Sequence, residues 1–249
     1  MLYPSETEYL KLAREYNLIP VYKELLADTE TPVSVLQRFR DCENVFLLES
    51  MEGGETWGRY SFVGIDPEIF LEVDHSRGDT GKIEKLREVY RNVRTAPVAG
   101  LPRFFGGAVG FLAYESMAEF ERMPKPKPCA DPNALRSRFL KADRMIVFDN
   151  VRHTVKIVAS TRPSAAQSPA EAYRSARADI ERIEGILNRP VPPAPAERVP
   201  HAGFKSNMTE DEYCNMVSRA KEYIVAGDII QAVLSQRFSA ESRIPKGLS

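Results

Sequence analysis

Residues 45–67 read VFLLESMEGGETWGRYSFVGIDP, and this stretch decides how the rest of the chain is interpreted. It begins with four apolar residues, the composition of a buried strand, and Glu49 and Ser50 follow at once. A glycine pair then interrupts the pattern, as a turn does. A second strand is predicted from Arg59 to Gly64, before an Asp-Pro pair. We therefore predict two strands, with a carboxylate and a hydroxyl where the first one ends.

Two interpretations of Glu49 and Ser50 are open at this point. In the plainer one, which the pattern alone favours, these residues only end a strand. In the other they bind a small zwitterion. Glu49 would then accept hydrogen bonds from an ammonium group, and Ser50 would donate or accept beside it.

Composition excludes several classes of protein. The net charge of −1 provides no basic excess that would attract nucleic acid. The three cysteines are far apart and form no CxxC pair, which fits a reducing cytoplasm. No apolar run approaches the roughly 20 residues that a membrane helix needs, and no signal peptide is visible. The three histidines lack ligand spacing. We predict a cytoplasmic protein that binds neither nucleic acid nor membrane and has no metal site of its own.

Apolar periodicity predicts a domain over residues 1–189, a proline-rich linker over 190–204 and the beginning of a second domain over 205–249. The predicted fold class is α+β, with mixed, mostly antiparallel sheets and helices packed outside them. The predicted helices cover 5–17, 32–40, 82–94, 116–123 and 169–187. The predicted strands cover 18–26 and 68–74, followed by a hairpin of 139–150 with 154–159.

The second domain is predicted to open with a helix and a strand. Thr209 and Glu212 have the spacing of a capping box, and Gly227 fits the end of the helix. Apolar residues at helical spacing predict a buried stripe on this helix. Alternation then predicts a strand over residues 229–238, either as an ordinary sheet strand or as the lining of a polar pocket.

The glycines of the segment FFGGAVGF, residues 104–111, do not predict a phosphate-binding loop. No Lys-Ser/Thr pair follows them, and no strand–helix pattern of the dinucleotide type precedes them. Glycines within an apolar strand more often allow another backbone to approach closely. We therefore predict a strand with a close backbone contact.

Four segments resemble anthranilate synthase component I. The pattern LLES…GG…WGRYSF.G.DP resembles its amino-terminal domain, as does the hairpin ADRMIVFDNVRHTVKIV. The segment AKEYIVAGDIIQAVLSQRF resembles the opening of its chorismate-binding domain. The FFGGAVGFLAYE segment also resembles the family, with Phe111 where tyrosine is usual and Glu115 where aspartate is usual; Ile230 and Ala232 likewise depart from the usual Phe and Val.

The resemblance implies a function in tryptophan biosynthesis. In that family chorismate takes up ammonia, which a partner glutaminase (component II) supplies, and loses pyruvate to give anthranilate. A Mg²⁺ ion holds the substrate carboxylate. The resemblance places the catalytic and magnesium-binding residues in the half of the family's large subunit that this sequence lacks. We therefore assign no catalytic residue and expect the chain alone to be inactive.

The family's LLES segment forms part of a feedback site for L-tryptophan. Transferred to this sequence, the resemblance assigns tryptophan binding to Glu49 and Ser50, with Arg59 and Tyr60 as further candidates. Two alternatives remain open. One is the large subunit of aminodeoxychorismate synthase in the folate branch, against which the run ESMEGGETWGRYSFVGIDP argues. The other is a non-catalytic module that binds tryptophan or the glutaminase.

Overall fold

A computed structural model describes residues 1–27, 29–49, 58–75, 83–122, 136–164, 166–193 and 203–240. The chain divides into two compact units, residues 1–192 and 193–249. This division falls within the proline-rich segment 190–204, of which 194–202 lie outside the described residues. Each unit is described below by itself.

The first unit contains nine strands and four α-helices among its described residues. The strands are β1 (Leu2–Tyr3), β2 (Ile19–Leu26), β3 (Val45–Leu48), β4 (Tyr60–Ile65), β5 (Glu68–Asp74), β6 (Gly107–Phe111), β7 (Arg136–Ala142), β8 (Arg144–Asp149) and β9 (Thr154–Thr161). The helices are α1 (Glu6–Leu12), α2 (Pro32–Arg38), α3 (Glu84–Arg91) and α4 (Pro169–Leu187).

The strands form two antiparallel sheets. The larger has the order β1-β2-β9-β8-β4-β3, and the smaller has the order β5-β7-β6. The stretch of residues 45–67 supplies β3 and β4, which pair antiparallel from Val45↔Ile65 to Leu48↔Phe62. The predicted antiparallel arrangement with helices outside is therefore present, and β4 joins this stretch to β8 in the middle of the sheet.

Helix α4 covers one face of the larger sheet and has the predicted bounds. Ser168 caps its first turn and forms a capping box with Glu171, and Pro169 occupies a position where a missing N–H costs little. The side chains that this helix buries recur at intervals of three or four residues. They are Ala172, Tyr173, Ala176, Ile180 and Ile183.

Alternation along the strands separates the two faces of the larger sheet. In β8, Ile146 and Phe148 join the core beneath the helices, whereas Val147 joins a smaller cluster on the opposite face. The smaller cluster includes Tyr60 and Phe62 of β4. Tyr60 therefore lies on the face of the sheet opposite α4.

One arm of the predicted hairpin contains residues of two strands. The segment 139–150 was predicted as an arm that pairs with 154–159, and β8 does pair with β9. However, β7 ends at Ala142 and pairs in the smaller sheet, whereas β8 begins at Arg144 and pairs in the larger. Only Asp143 separates them. Because β8 is buried on both faces, its residues do not alternate between polar and apolar, and periodicity does not show where the chain passes from one sheet to the other.

The glycine-rich segment forms the single strand β6, and a 3-10 helix over Tyr114–Glu119 follows it in place of the helix predicted over 116–123. The predicted close approach is present at Gly110. A methyl group there would lie 2.1 Å from the backbone oxygen of Arg138, on the neighbouring strand β7. Only glycine allows the two strands to pair at this distance.

We expect Gly110→Ala to destabilise the first unit by about 2 kcal/mol, because the backbone of β7 must shift to admit the methyl group. Gly185→Ala is the matched control. Its new methyl group would meet nothing within 4 Å, and replacing a helical glycine should stabilise by about 0.5–1 kcal/mol. Urea denaturation followed by circular dichroism measures both changes. Equal stability of the two variants would contradict the close approach.

The second unit contains β10 (Lys205–Ser206), helix α5 (Glu210–Ala226) and β11 (Phe238–Ser239) among its described residues. The capping box of Thr209 and Glu212 is confirmed, and Gly227 ends the helix with a φ of 82°. Asn207 joins the two short strands, since its side-chain oxygen accepts a hydrogen bond from the N–H of Arg237 at 2.8 Å.

Two predictions for this unit are wrong. Residues 229–237 form no strand, and α5 buries none of its residues within the described part of the chain. Several apolar side chains that were predicted to be buried are exposed instead, among them Tyr223, Ile224 and Ile230. A strand requires hydrogen bonds from a neighbouring strand. Within the described residues no strand lies beside 229–237.

Candidate ligand-binding site

The predicted site lies where β3 and β4 part. Their pairing stops at Leu48↔Phe62, and Glu49 follows β3 as an exposed residue. Glu49 makes no hydrogen bond or ion pair with any residue that the structure describes, so its carboxylate remains available to a ligand. Ser50 lies outside the described residues, as do 51–57.

Arg59 is held by Asp149, which ends the neighbouring strand β8. The Arg59 Nε lies 3.0 Å from Asp149 Oδ1, and Nη2 lies 2.7 Å from Oδ2. This two-pronged geometry is the strongest that an arginine and a carboxylate form. The side chain of Asp149 is only 4% exposed. Arg59 is therefore a fixed element of the site rather than a free cation.

Asp149 also organises the turn that follows β8. Its Oδ1 accepts hydrogen bonds from the N–H groups of Val151 and Arg152 at 3.3 and 3.2 Å. Burial alone would raise the pKa of this carboxyl. The hydrogen bonds from Arg59, Arg152 and Val151 outweigh burial and hold the pKa below its ordinary value. Asp149 therefore stays ionised at neutral pH.

Asn150 holds the backbone of Gly58 and Arg59 through hydrogen bonds to their carbonyl groups. Its N–H donates to the Arg59 carbonyl at 2.8 Å, and its Nδ2 donates to the Gly58 carbonyl at 3.1 Å. The same Nδ2 lies 3.3 Å from Ser61 Oγ. Asp149 and Asn150 together fix the position at which the chain enters β4.

Aromatic rings lie beside this anchor. The guanidinium of Arg59 lies 4.9 Å from the centroid of the Tyr60 ring, within the range of a cation–π contact. The rings of Tyr60 and Phe62 are 6.3 Å apart, and Phe104 meets Phe62 edge-on at 5.2 Å. The face of the sheet opposite α4 thus carries an aromatic surface.

The structure brings two of the four predicted site residues into contact. Arg59 and Tyr60 are adjacent and in contact, and Glu49 directly follows β3, the strand that pairs with β4. The sequence interpretation missed Asp149 and Asn150, which it treated only as turn residues. A signal for Asp149 was present, because a carboxylate at the end of one strand and an arginine at the start of its neighbour often form an ion pair. The assignment of all four residues to tryptophan binding stays a prediction.

Metal binding has no candidate among the described residues. No group of three or more histidine, cysteine, aspartate or glutamate side chains in that part of the chain could hold an ion. The same residues include no helix long and apolar enough to cross a membrane.

Comparison with known proteins points to the same family as the resemblance in the sequence. A family model described as chorismate binding enzyme matches residues 43–248. Anthranilate synthase component 1 of Pseudomonas aeruginosa is 35% identical over 260 residues, covering 95% of this chain and 51% of that protein. The probable anthranilate synthase component 1 of Schizosaccharomyces pombe is 36% identical over 246 residues, covering 96% of this chain and 49% of that protein. The chain thus spans about half the length of these curated relatives.

A solved structure confirms the fold class. The crystal structure of anthranilate synthase component I from Streptococcus pneumoniae aligns over 90% of this chain and 50% of that one, with a TM-score of 0.55 and 24% sequence identity. At this identity the match concerns the fold alone. The predicted α+β arrangement of antiparallel sheets with external helices is therefore confirmed.

Proposed function

We propose a biochemical role for this chain from the premise that it belongs to the chorismate binding enzyme family. In this role the chain, together with the further length that its relatives have, converts chorismate and ammonia into anthranilate and pyruvate. The observation that carries the proposal is the similarity to anthranilate synthase component 1 across about 95% of the chain, which includes residues of both units.

The two units would contribute differently to this reaction. The second unit exposes apolar side chains on α5 and on the segment after it, including Val225, Ile230 and Val233. Exposed apolar surface of this kind is typical of a surface that another part of a protein covers. This exposure supports the proposal that a complete chorismate-binding domain needs the further length found in the relatives.

A glutaminase subunit is the proposed source of ammonia, and Mg²⁺ is the proposed cofactor of the complete enzyme. The described residues contain no cluster suited to Mg²⁺, so they do not fit the ion and we derive no step through it. The proposed setting is the cytoplasm.

The first unit would supply a regulatory site for L-tryptophan. Glu49 provides a carboxylate for the ammonium group of the ligand, and the rings of Tyr60, Phe62 and Phe104 provide a surface on which an indole can stack. Arg59 holds Tyr60 in place through Asp149 and the cation–π contact. Tryptophan bound here would weaken chorismate binding, and chorismate would weaken tryptophan binding by the same factor.

Two other functions are compatible with some of the same observations: that of aminodeoxychorismate synthase and that of a non-catalytic binding module. Aminodeoxychorismate synthase of the folate branch uses the same substrate, and only the product distinguishes the two enzymes. A non-catalytic module would bind tryptophan or the glutaminase without turnover. Titrating tryptophan into the purified chain tests the module. No heat at high tryptophan concentration would count against it.

Genetic complementation tests the proposed activity. The chain is joined to the carboxyl-terminal half of the Pseudomonas aeruginosa component 1 and expressed in a bacterium that lacks its own component 1. We expect growth without tryptophan from the joined protein and no growth from the chain alone. No growth from the joined protein would count against the proposed activity.

A further inference from the structure

A cavity of about 580 Å³ lies between α3 and the glycine-rich strand β6, within the first unit. This volume falls within the range of small-molecule sites. The side chains of Leu86, Val93, Phe105 and Phe139 give it apolar and aromatic walls. None of the four predicted tryptophan-site residues lines it, so the cavity is separate from the site described above and does not depend on the proposed function.

Two buried hydroxyl groups, one in the cavity lining and one next to it, have no hydrogen-bond partner among the residues that the structure describes. Tyr90 lines the cavity, and its Oη is one of them. Ser160 is not a lining residue, but its Oγ is the other, and a methyl group placed on the lining residue Gly106 would lie 3.0 Å from it. Buried polar groups in native proteins are almost always satisfied by protein, water or ligand. The part of the cavity near these hydroxyls is therefore its polar end.

The Tyr90 hydroxyl keeps its proton at neutral pH. Burial raises its pKa, Asp143 adds to the rise, and Arg162 opposes it. Arg162 and Asp143 are paired with each other at 2.5 Å, and Lys141 also reaches Asp143 at 3.0 Å. Those charges are engaged, so the polar end of the cavity offers neutral hydroxyls rather than a free ion.

The lining of the cavity also carries a positive charge. Arg103 lines the cavity and is exposed, and its side chain makes no ion pair or hydrogen bond with the residues that the structure describes. An exposed arginine of this kind can bind a carboxylate in a two-pronged manner. The lining thus combines a cation, aromatic walls and a buried hydroxyl.

We propose that this cavity binds a small aromatic carboxylate with a hydroxyl or amino group at its other end. The carboxylate contacts Arg103, the ring packs between Phe105 and Phe139, and the far polar group exchanges hydrogen bonds with the hydroxyls of Tyr90 and Ser160. The ligand class follows from this combination of a cation, aromatic side chains and buried hydroxyls. Both ends of the ligand contribute to affinity, which makes each end separately testable.

Calorimetry on the whole chain tests the proposal with three probes: 4-hydroxybenzoate, benzoate and phenol. We expect 4-hydroxybenzoate to bind with a Kd of about 1 mM, the strength typical of fragments of this size. Benzoate and phenol each lack one polar end and should bind at least about fivefold more weakly. Arg103→Gln should weaken 4-hydroxybenzoate about tenfold and leave phenol unchanged.

Tyr90→Phe tests the buried end and should reduce the affinity for 4-hydroxybenzoate to that for benzoate. Ser160→Ala provides the same test if Tyr90→Phe does not fold. Arg94→Gln is the matched control, because Arg94 is exposed and does not line the cavity; its affinity should equal that of the unmodified chain. No binding of 4-hydroxybenzoate at about 20 mM would overturn the proposal. Equal affinity in the Arg103→Gln variant would overturn it as well.

Discussion

Ser50→Phe, introduced into the chain joined to a complete chorismate-binding domain, is expected to raise the tryptophan concentration for half-inhibition by roughly tenfold to 100-fold. A phenylalanine side chain added to a fitted site costs about 1–3 kcal/mol, and each 1.4 kcal/mol is about tenfold in affinity. Turnover without tryptophan should not change, because we place no catalytic group at this position. Anthranilate fluorescence over a tryptophan titration measures both quantities.

Ser175→Phe is the matched control for that change. Ser175 is exposed on α4 and distant in sequence from the candidate site, so the same substitution there should leave inhibition as it is. Inhibition that is unchanged in Ser50→Phe would refute the role of this residue. Loss of inhibition in both variants would show that the effect does not come from the site.

Asp149→Ala is expected to lower the free energy of unfolding by about 3 kcal/mol, the lower part of the range for removing one partner of a buried ion pair. We expect a value in the lower part of this range because the Arg59 side chain is 31% exposed, so water can solvate its charge once the carboxylate is gone. The substitution also leaves the N–H groups of Val151 and Arg152 without their acceptor. Urea denaturation at pH 7 measures the change. Asp41→Ala is the control; its side chain is 96% exposed, and the expected effect is within about 0.5 kcal/mol.

The contribution of Asp149 should depend on pH with a definite sign. Its pKa in the folded chain lies below the ordinary value, so its stabilising effect is fully present above the unfolded-state pKa of about 3.9 and is lost as the pH falls through the folded-state pKa. The difference in stability between the unmodified chain and Asp149→Ala should therefore shrink below about pH 4. A difference that grows with acid would contradict the ion pair.

Local signals in the sequence predicted the helices of the first unit well. Helix α4 has its predicted bounds, and α2 begins at Pro32 as predicted. Capping and helical periodicity depend on residues within one or two turns, so a single sequence contains them. The hairpin of β8 and β9 was equally accessible because its two strands are neighbours in the chain.

Predictions that depend on distant partners failed. The chain passes from the smaller sheet to the larger at Asp143, between β7 and β8, and no pattern of apolar residues marks this step. The segment 229–237 has the composition of a strand but lacks a neighbouring strand among the described residues. In both places the local sequence favours a strand, but it does not show which strand would pair with it. Pairing is a property of the whole sheet.

The contacts around the candidate site depend on distant partners in the same way. Glu49, Ser50, Arg59 and Tyr60 belong to one continuous stretch of sequence, and their assignment to tryptophan binding by resemblance stays a prediction. The ion pair of Arg59 with Asp149 joins residues 90 positions apart, and it becomes visible only when β4 is paired with β8. That pairing changes the interpretation of Arg59 from a ligand-binding cation to a residue that positions Tyr60.

Anthranilate formation is the most direct measurement of the central claim, which is that this chain supplies a regulatory unit and only part of a chorismate-converting enzyme. The purified chain and the carboxyl-terminal half of the Pseudomonas aeruginosa component 1 are assayed separately and as one joined protein, with chorismate, ammonium and Mg²⁺. We predict anthranilate fluorescence from the joined protein alone. Anthranilate produced by the chain on its own would contradict the account.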